Sequence, residues 1–196
     1  MQGVVYGTWT DETQADQRLV TRFDFDGVFG TVVNRFCVQA DIGYPLTVYG
    51  KGGQTRCYIN LCDSIRCVEL TINNPPERGE YRVFNQFTEI FSVRDIAQNV
   101  KEAAKRLGIE VHVDYLDNPR LEPEEHFYEA DNRRLINLGL EPHGMVNALE
   151  GMLQDIMIYR DREAAKKAVI APRVWWGMRE GLRLTSRSAS CEPGGE

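Results

Sequence analysis

Residues 46–63 read LTVYGKGGQTRCYINLCD, which predicts two β-strands joined by a glycine-rich turn. Leu46 to Tyr49 alternates as a strand does, and Thr55 to Leu61 forms the second strand. The turn between them, Gly50-Lys51-Gly52-Gly53, has the composition of a tight connection. Because the connection is short, we expect the two strands to form a hairpin.

The rest of the chain mixes predicted helices and strands, which indicates an α/β fold. Asp63 is the expected cap of the helix after the second strand, and Ser92 with Asp95 predicts a short capping box. Further strands are predicted at Gln2 to Gly7, Tyr81 to Asn85 and Ile109 to Val113, and helices at Gly27 to Gly43, Asp63 to Asn73, Ser92 to Arg106, Asn132 to Leu138 and Met145 to Tyr159.

The remaining segments predict a loop and a tail. Thr8 to Asp26 is polar and charged, and we expect it to form a loop. Residues 185–196 are rich in Ser, Gly and Pro, which is typical of a disordered tail. We therefore expect one folded portion over residues 1–184.

The chain has 196 residues and a net charge of −6, with 23 Lys and Arg against 29 Asp and Glu. This balance argues against general nucleic-acid binding, although a few arginines in a cleft can still bind a diphosphate. No apolar run reaches the length of a membrane span, so we expect no membrane association. The five cysteines form no zinc or disulfide pattern, and the histidines lack metal-ligand spacing. We expect a reducing compartment and no bound metal.

Two stretches resemble the extended short-chain dehydrogenase/reductase family, which comprises NAD-dependent epimerases and dehydratases. They are residues 46–63 and the opening Gln2-Gly3-Val4-Val5-Tyr6-Gly7. A narrower resemblance, to the branch that makes UDP-sulfoquinovose, runs from residue 2 to about residue 160. It adds the runs Phe29-Gly30-Thr31, Asn34 to Gln39, Val83 to Glu89, Asn118-Pro119-Arg120, Glu124-Glu125-His126 and Leu138 to His143. The resemblance implies the last strands of a Rossmann-type sheet together with the small substrate-binding domain.

The two cofactor motifs of the family are absent from the 196 residues. There is no GxxGxxG, and none of the eight tyrosines has a lysine four residues later. We therefore expect the C-terminal portion of such an enzyme, without its N-terminal dinucleotide-binding half and inactive alone. For the whole enzyme, the resemblance implies tightly held NAD, with UDP-glucose and sulfite as substrates of sulfolipid synthesis. The implied partner is an N-terminal half or a second copy of the chain, in prokaryotic cytoplasm or plastid stroma.

Binding a UDP-sugar requires cations at the diphosphate, and arginines are the candidates. Arg56 opens a predicted strand and can bind phosphate in bidentate fashion, or it can simply face solvent. The resemblance implies the phosphate role, and it implies a phosphate or ribose contact for Arg120, which follows Pro119. A surface loop charge is the alternative for Arg120. Arg35 lies on a helix, where it either reaches phosphate or forms a surface ion pair.

The resemblance also implies contacts to the uracil, the sugar and the cofactor. Leu46 and Val48 lie where main-chain groups of the family contact the uracil. The amide of Gln2 would bond a sugar hydroxyl, and Val5 would lie beside the nicotinamide. Without the resemblance, all four are ordinary strand residues.

The resemblance implies that three more residues lie near the substrate, and each of them has an alternative role without ligand contact. Glu124 and His126 would face the ribose, or they begin a solvated helix. Arg22 lies in a segment that helps to close over the substrate, or in a solvated loop. We expect no catalytic residue in this chain, since the family's acid/base belongs to the missing half.

Two other functions fit the residues. The glycine-rich turn and Thr55-Arg56 also suit another nucleotide-sugar epimerase or dehydratase, and sulfite dependence would separate the two. A non-catalytic remnant or partner subunit is the second alternative. A remnant or partner subunit would be indicated by an exposed apolar edge on the strand that contains Val4 and Val5.

Overall fold

The computed structural model describes residues 1–20, 22–26, 29–118 and 130–161. Within these residues, helices and strands are mixed along the chain, which confirms the α/β prediction. The strands are β1 (Val4–Tyr6), β2 (Leu46–Tyr49), β3 (Thr55–Asn60), β4 (Glu89–Ser92) and β5 (Val113–Leu116). The helices are α1 (Asp11–Ala15), α2 (Val32–Asp41), α3 (Leu61–Asn73), α4 (Val93–Arg106), α5 (Arg133–Asn137) and α6 (Met145–Met157). The predicted tail at residues 185–196 lies outside the described residues.

The strands form two separate sheets. The order in the larger sheet is β1-β3-β4, with β1 parallel and β4 antiparallel to β3. The smaller sheet is the parallel pair of β2 and β5. The hairpin prediction is therefore wrong, because β2 and β3 lie in different sheets. The turn bonds to a helix instead: the carbonyls of Gly52 and Gln54 accept hydrogen bonds from the N–H groups of Arg94 (3.0 Å) and Val93 (3.1 Å).

Local capping signals decide where the helices begin. Ser92 caps α4 by accepting from the Asp95 N–H at 3.1 Å, and the Asp95 carboxylate accepts from the Ser92 N–H at 3.0 Å. This confirms the predicted capping box. The predicted cap Asp63 is wrong, because Asn60 caps α3 by accepting from the Cys62 N–H at 2.9 Å.

Two more predicted boundaries are wrong for the same reason. The segment Thr8 to Asp26 is not all loop, since Thr10 caps the short helix α1. The helix expected from Gly27 begins only at Val32, because Thr31 accepts from the Asn34 N–H at 3.2 Å and caps it there.

Two predicted strands are also displaced along the chain. Tyr81 to Asn85 has no strand structure, and β4 lies a few residues later. The strand expected at Ile109 to Val113 begins at Val113. Both displaced strands take their final place from pairing with partners distant in sequence.

Two hydrophobic cores lie on opposite faces of the larger sheet. Helices α2, α4 and α6 pack together over the face that carries Tyr6 and Tyr58, where Phe36, Val100 and Leu153 are fully buried. The other face is covered by a smaller cluster. It consists of Ile59, Cys67, Leu70, Leu135 and Leu140, with Val5 and Phe84 packed against it. Among the described residues, no helix has the length and apolar character needed to cross a bilayer.

Candidate functional site

A cavity of about 320 Å³ opens on the face of the sheet that faces the three-helix core. Its floor consists of Val4 from β1, Gln54 just before β3, and Arg56 and Tyr58 within β3. Val4 pairs with Tyr58, so these two side chains lie on the same face. Residues 54, 56 and 58 alternate onto that face, which places a carboxamide, a guanidinium and a phenol side by side.

The beginning of α2 forms one wall of the cavity. Gly30, Thr31 and Val32 line it at the N-terminus of the helix, and Arg35 lines it one turn further on. Gly30 suits a tight turn here, since an added Cβ would lie 2.4 Å from the Asp26 carbonyl oxygen. A helix N-terminus presents main-chain N–H groups and the positive end of the helix dipole. The remaining lining residues are Tyr49, Val93 and Asn118.

Two buried hydrogen bonds between Gln39 and Thr47 fix α2, and with it Arg35, relative to β2. The Gln39 Nε2 donates to the Thr47 hydroxyl at 2.9 Å, and the Thr47 N–H donates to the Gln39 Oε1 at 3.1 Å. Gln39 lies one turn after Arg35 on α2, so this pair locks the helix against the strand. The Arg35 Nη2 itself donates to the Thr47 carbonyl at 3.4 Å, and its guanidinium lies 5.3 Å from the Phe36 ring centroid.

Two arginines lie in the lining of the cavity although the chain as a whole is acidic. Arg35 and Arg56 both line it, and none of the described lining residues is acidic. Arg56 donates from Nη1 to the Thr55 carbonyl at 2.8 Å, which constrains its guanidinium beside the strand. Two planar guanidinium groups in one cavity are suited to bidentate binding of phosphate or carboxylate oxygens.

A polar network links the Tyr6 hydroxyl to the segment that begins α6. The Tyr6 hydroxyl lies 3.0 Å from both the Glu89 Oε2 and the His143 carbonyl, and the Glu89 carboxylate accepts from the Met145 N–H at 2.9 Å. Asp63 accepts from the His143 N–H at 2.9 Å, with the His143 Nδ1 2.5 Å from its other oxygen. Burial, and after it the Glu89 carboxylate, raises the pKa of Tyr6 far above its usual value. The network joins the start of α6 to the sheet.

The predicted phosphate arginines have different outcomes. Arg56 lies in the cavity, where Arg35 accompanies it. Arg120, Glu124 and His126 lie outside the described residues, and their roles stay predictions. Arg22 is exposed, pairs with Asp24 at 2.5 Å and lies 5.9 Å from the Phe29 ring centroid.

The predicted uracil-contacting residues have buried side chains and engaged backbones. Leu46 and Val48 are fully buried. The Leu46 N–H donates to the His112 carbonyl at 2.9 Å, and the Gly50 N–H donates to the Leu116 carbonyl at 2.8 Å. The even-numbered residues of β2 therefore direct their main-chain groups toward β5. This placement favours Tyr49, which lines the cavity, for contact with a ligand.

Gln2 and Val5 lie away from the cavity. The Gln2 amide donates to the Ser64 hydroxyl at 3.0 Å. The Val5 side chain packs into the smaller core, on the sheet face opposite Val4, so it cannot make apolar contact with a ligand in this cavity. Any role in cofactor or sugar binding stays a prediction for both residues.

Sequence reasoning missed Gln54, Asn118 and the start of α2 as lining residues. The signal for Gln54 was present, since it lies two residues before Arg56 and alternation places both on one face. Nothing in the sequence places Asn118 there, because its position depends on the pairing of β5 with β2.

The chain is similar to two curated proteins over most of its length. It is 52% identical over 176 residues to the chloroplastic UDP-sulfoquinovose synthase of Spinacia oleracea, which covers 89% of this chain and 36% of that protein. It is 50% identical over 177 residues to the UDP-sulfoquinovose synthase of Sulfolobus acidocaldarius, which covers 90% of this chain and 45% of that protein. The chain thus spans less than half the length of these relatives. No family model matches the chain.

The fold is also found among solved structures. The UDP-glucuronic acid 4-epimerase of Bacillus cereus, in complex with UDP-glucuronic acid and NAD, superimposes with a TM-score of 0.56 at 22% identity. The match covers 79% of this chain and 43% of that one. The fold is thus that of a part of an extended short-chain dehydrogenase/reductase. Within that class, the chain belongs to the UDP-sulfoquinovose synthase family. The partial coverage agrees with the prediction that the chain corresponds to one portion of such an enzyme.

Proposed function

We propose that this chain supplies the UDP-sugar-binding portion of an enzyme that converts UDP-glucose and sulfite to UDP-sulfoquinovose for sulfolipid synthesis. The observation that carries the proposal is the pair of arginines, Arg35 and Arg56, lining one cavity without an acidic residue among the described lining residues. Two guanidinium groups that line one cavity can bind an anionic ligand even in a chain of net charge −6.

The diphosphate would bind between the two guanidinium groups and the N-terminus of α2. Each guanidinium can bond two phosphate oxygens, and the first turn of α2 adds main-chain N–H donors. Arg120 would supply a third cation, since it follows the lining residue Asn118 by two positions in the sequence. The cavity volume of about 320 Å³ lies at the lower end of the range for small-molecule sites.

The described residues do not fit the pyrophosphate of NAD. In a dinucleotide-binding turn, glycines open a helix whose N-terminus binds the pyrophosphate. The strand β3 follows Gly50-Lys51-Gly52-Gly53 instead, and the carbonyls of Gly52 and Gln54 already bond the start of α4. We therefore assign NAD binding and the catalytic acid/base to a complementary portion, as expected from the missing GxxGxxG and Tyr-x-x-x-Lys.

The complementary portion would dock along β1. Among the described residues, β1 pairs on one side only, because it ends the order β1-β3-β4. An open parallel edge accepts a further strand. Val4 and Val5 are half-buried, and the more exposed apolar side chains nearby are Ile65, Val68 and Ile72 on α3. The assembled enzyme would work in prokaryotic cytoplasm or plastid stroma.

Calorimetric titration of the 196-residue chain with UDP-glucose tests the binding role. Arg35→Ala and Arg56→Ala should each weaken binding at least about tenfold, because a hydrogen bond to a charged group contributes about 1.5–3 kcal/mol. Arg66→Ala is the matched control, since Arg66 is exposed on α3 and pairs with Glu69. Undetectable binding of UDP-glucose, or equal binding by all three variants, would refute the proposal.

Activity is the second test. The chain alone should convert no UDP-glucose, with or without sulfite. Co-expression with the N-terminal part of a full-length relative should restore a sulfite-dependent product. A product that forms without sulfite would instead favour the epimerase or dehydratase alternative.

A further inference from the structure

One side of α3 exposes three apolar side chains. Ile65 is 43% exposed, Val68 is 51% exposed and Ile72 is 70% exposed. Residues three and four apart are neighbours on a helix surface, so these three residues form one continuous strip along the helix, the α3 stripe. Single exposed apolar side chains are normal in proteins, whereas contiguous ones mark interaction sites. The α3 stripe is therefore a candidate interaction surface.

The α3 stripe faces away from the larger sheet. With 3.6 residues per turn, its three members fall within about 60° of one another around the helix axis. Asp63, Cys67 and Leu70 lie on the opposite side of the helix, where they are buried. A strand added along β1 would lie beside β1 in the plane of the sheet. Such a strand, supplied by the complementary portion, leaves the α3 stripe uncovered.

The charges beside the α3 stripe are complementary to themselves. Arg66 and Glu69 lie on the same flank of the stripe, and their side chains pair at 2.9 Å. Both remain about half exposed, at 51% and 54%, so they can meet further charges. In a two-fold interface, a first residue of one copy meets a second residue of the other, and the reverse contact also forms. Two antiparallel α3 helices would therefore bring each Arg66 close to the Glu69 of the other copy.

We propose that a second copy of this chain packs on the α3 stripe, with the two α3 helices antiparallel across a two-fold axis. The axis passes near Val68, so the two Val68 side chains meet, and Ile65 of each copy meets Ile72 of the other. One helix from each copy buries less surface than a standard interface, so the association is weak and reversible. The inference goes beyond the proposed function, because α3 covers the sheet face opposite the cavity.

Sedimentation equilibrium of the full 196-residue chain tests the association. Monomer and dimer should exchange between about 5 and 500 µM. Val68→Glu would bury an unpaired charge at the axis and should weaken association at least about tenfold. Val146→Glu is the matched control, since Val146 is 44% exposed on α6, and it should associate like the parent chain. Thermal unfolding shows whether each variant folds.

Exchanging the flanking charges tests the arrangement of the two copies. Arg66→Glu makes the flank of the stripe acidic, and Glu69→Arg makes it basic. Each variant alone should dimerise less than the parent chain, because like charges face each other. An equimolar mixture of the two should recover association, because an acidic flank then faces a basic one. A gain that appears only on mixing does not arise from a change in the stability of either variant.

Four results would overturn the inference. A parent chain that stays monomeric over the whole range would exclude the second copy. If Val68→Glu also lowered the melting temperature of that monomer, another part of the same chain would cover the α3 stripe. Association of Val68→Glu equal to that of the parent would place the interface elsewhere. No recovery on mixing the two charge variants would reject the antiparallel arrangement. UDP-glucose binding should be the same in all these variants, so failure of this inference leaves the proposed function intact.

Discussion

Replacing Tyr6 by Phe should change how the stability of the protein depends on alkaline pH. Tyr6 is 1% exposed, and its hydroxyl bonds Glu89 and the His143 carbonyl. Burial and the Glu89 carboxylate raise the pKa of Tyr6 in the folded protein. In the unfolded chain the pKa is about 10, so the unfolded state releases the proton first as the pH rises. The stabilisation is thus complete below about pH 10 and is lost progressively above it.

The size of the effect follows from linkage. Between pH 8 and pH 11, Tyr6 should remove about 1–2 kcal/mol from the free energy of unfolding of the parent chain. Tyr6→Phe has no phenol to ionise, so its stability does not fall in this way. It also lacks the hydrogen bonds of the hydroxyl, which lowers its free energy of unfolding at pH 8 by about 1–2 kcal/mol. The variant should therefore be less stable at pH 8 and nearly equal to the parent at pH 11.

Urea unfolding of both proteins at pH 8, 9, 10 and 11 measures this difference. Other alkaline titrations, such as that of Cys67 with its pKa raised to about 11 by burial and Asp63, occur in both proteins and cancel. Tyr81→Phe is the control, because Tyr81 is 88% exposed and its substitution should leave the difference near zero throughout. A parent-minus-variant difference that stays constant from pH 8 to pH 11 would refute the reasoning.

Two further predictions concern stability at neutral pH. Gly52→Ala should destabilise the protein by about 1–3 kcal/mol in urea unfolding, since φ is +70° and the new Cβ would lie 2.7 Å from a Val48 methyl; unchanged stability would contradict this geometry. Arg160→Ala should lower the free energy of unfolding by about 2 kcal/mol, because the fully buried Asp41 carboxylate would lose its partner. This loss is smaller than is usual for breaking a buried ion pair, since the Arg160 side chain is 46% exposed. Arg106→Ala removes an exposed ion pair and should change stability by less than about 1 kcal/mol; equal effects of the two arginine variants would be the contrary result.

The sequence predicted features that depend on neighbouring residues. The capping box of Ser92 and Asp95 was predictable because its two hydrogen bonds close within four residues. The glycine-rich turn and the two strands that flank it were predictable for the same reason. The α/β class followed from the mixture of such local signals.

Long-range pairing was not predictable in this way. The short turn favoured a hairpin, but β2 pairs with β5, and β3 pairs with β1 and β4. Asp63 looked like a helix cap, and its carboxylate instead bonds His143, 80 residues away. Arg56 was identified as a site residue, whereas Gln54 and Asn118 gained their place in the cavity only through the three-dimensional arrangement. No local pattern contains that information.

The position of Arg35 in the cavity depends on the packing of α2. Arg35, Gln39 and Asp41 all lie on α2, and each meets a different element: the cavity, β2 and the chain after α6. A long arginine side chain in a mobile segment would lose much conformational entropy on binding a phosphate. Because Gln39 and Asp41 anchor α2 at two further points, much of that entropy is already lost when the protein folds. The helix thus presents the Arg35 guanidinium in place, and ligand affinity becomes coupled to the stability of the three-helix core.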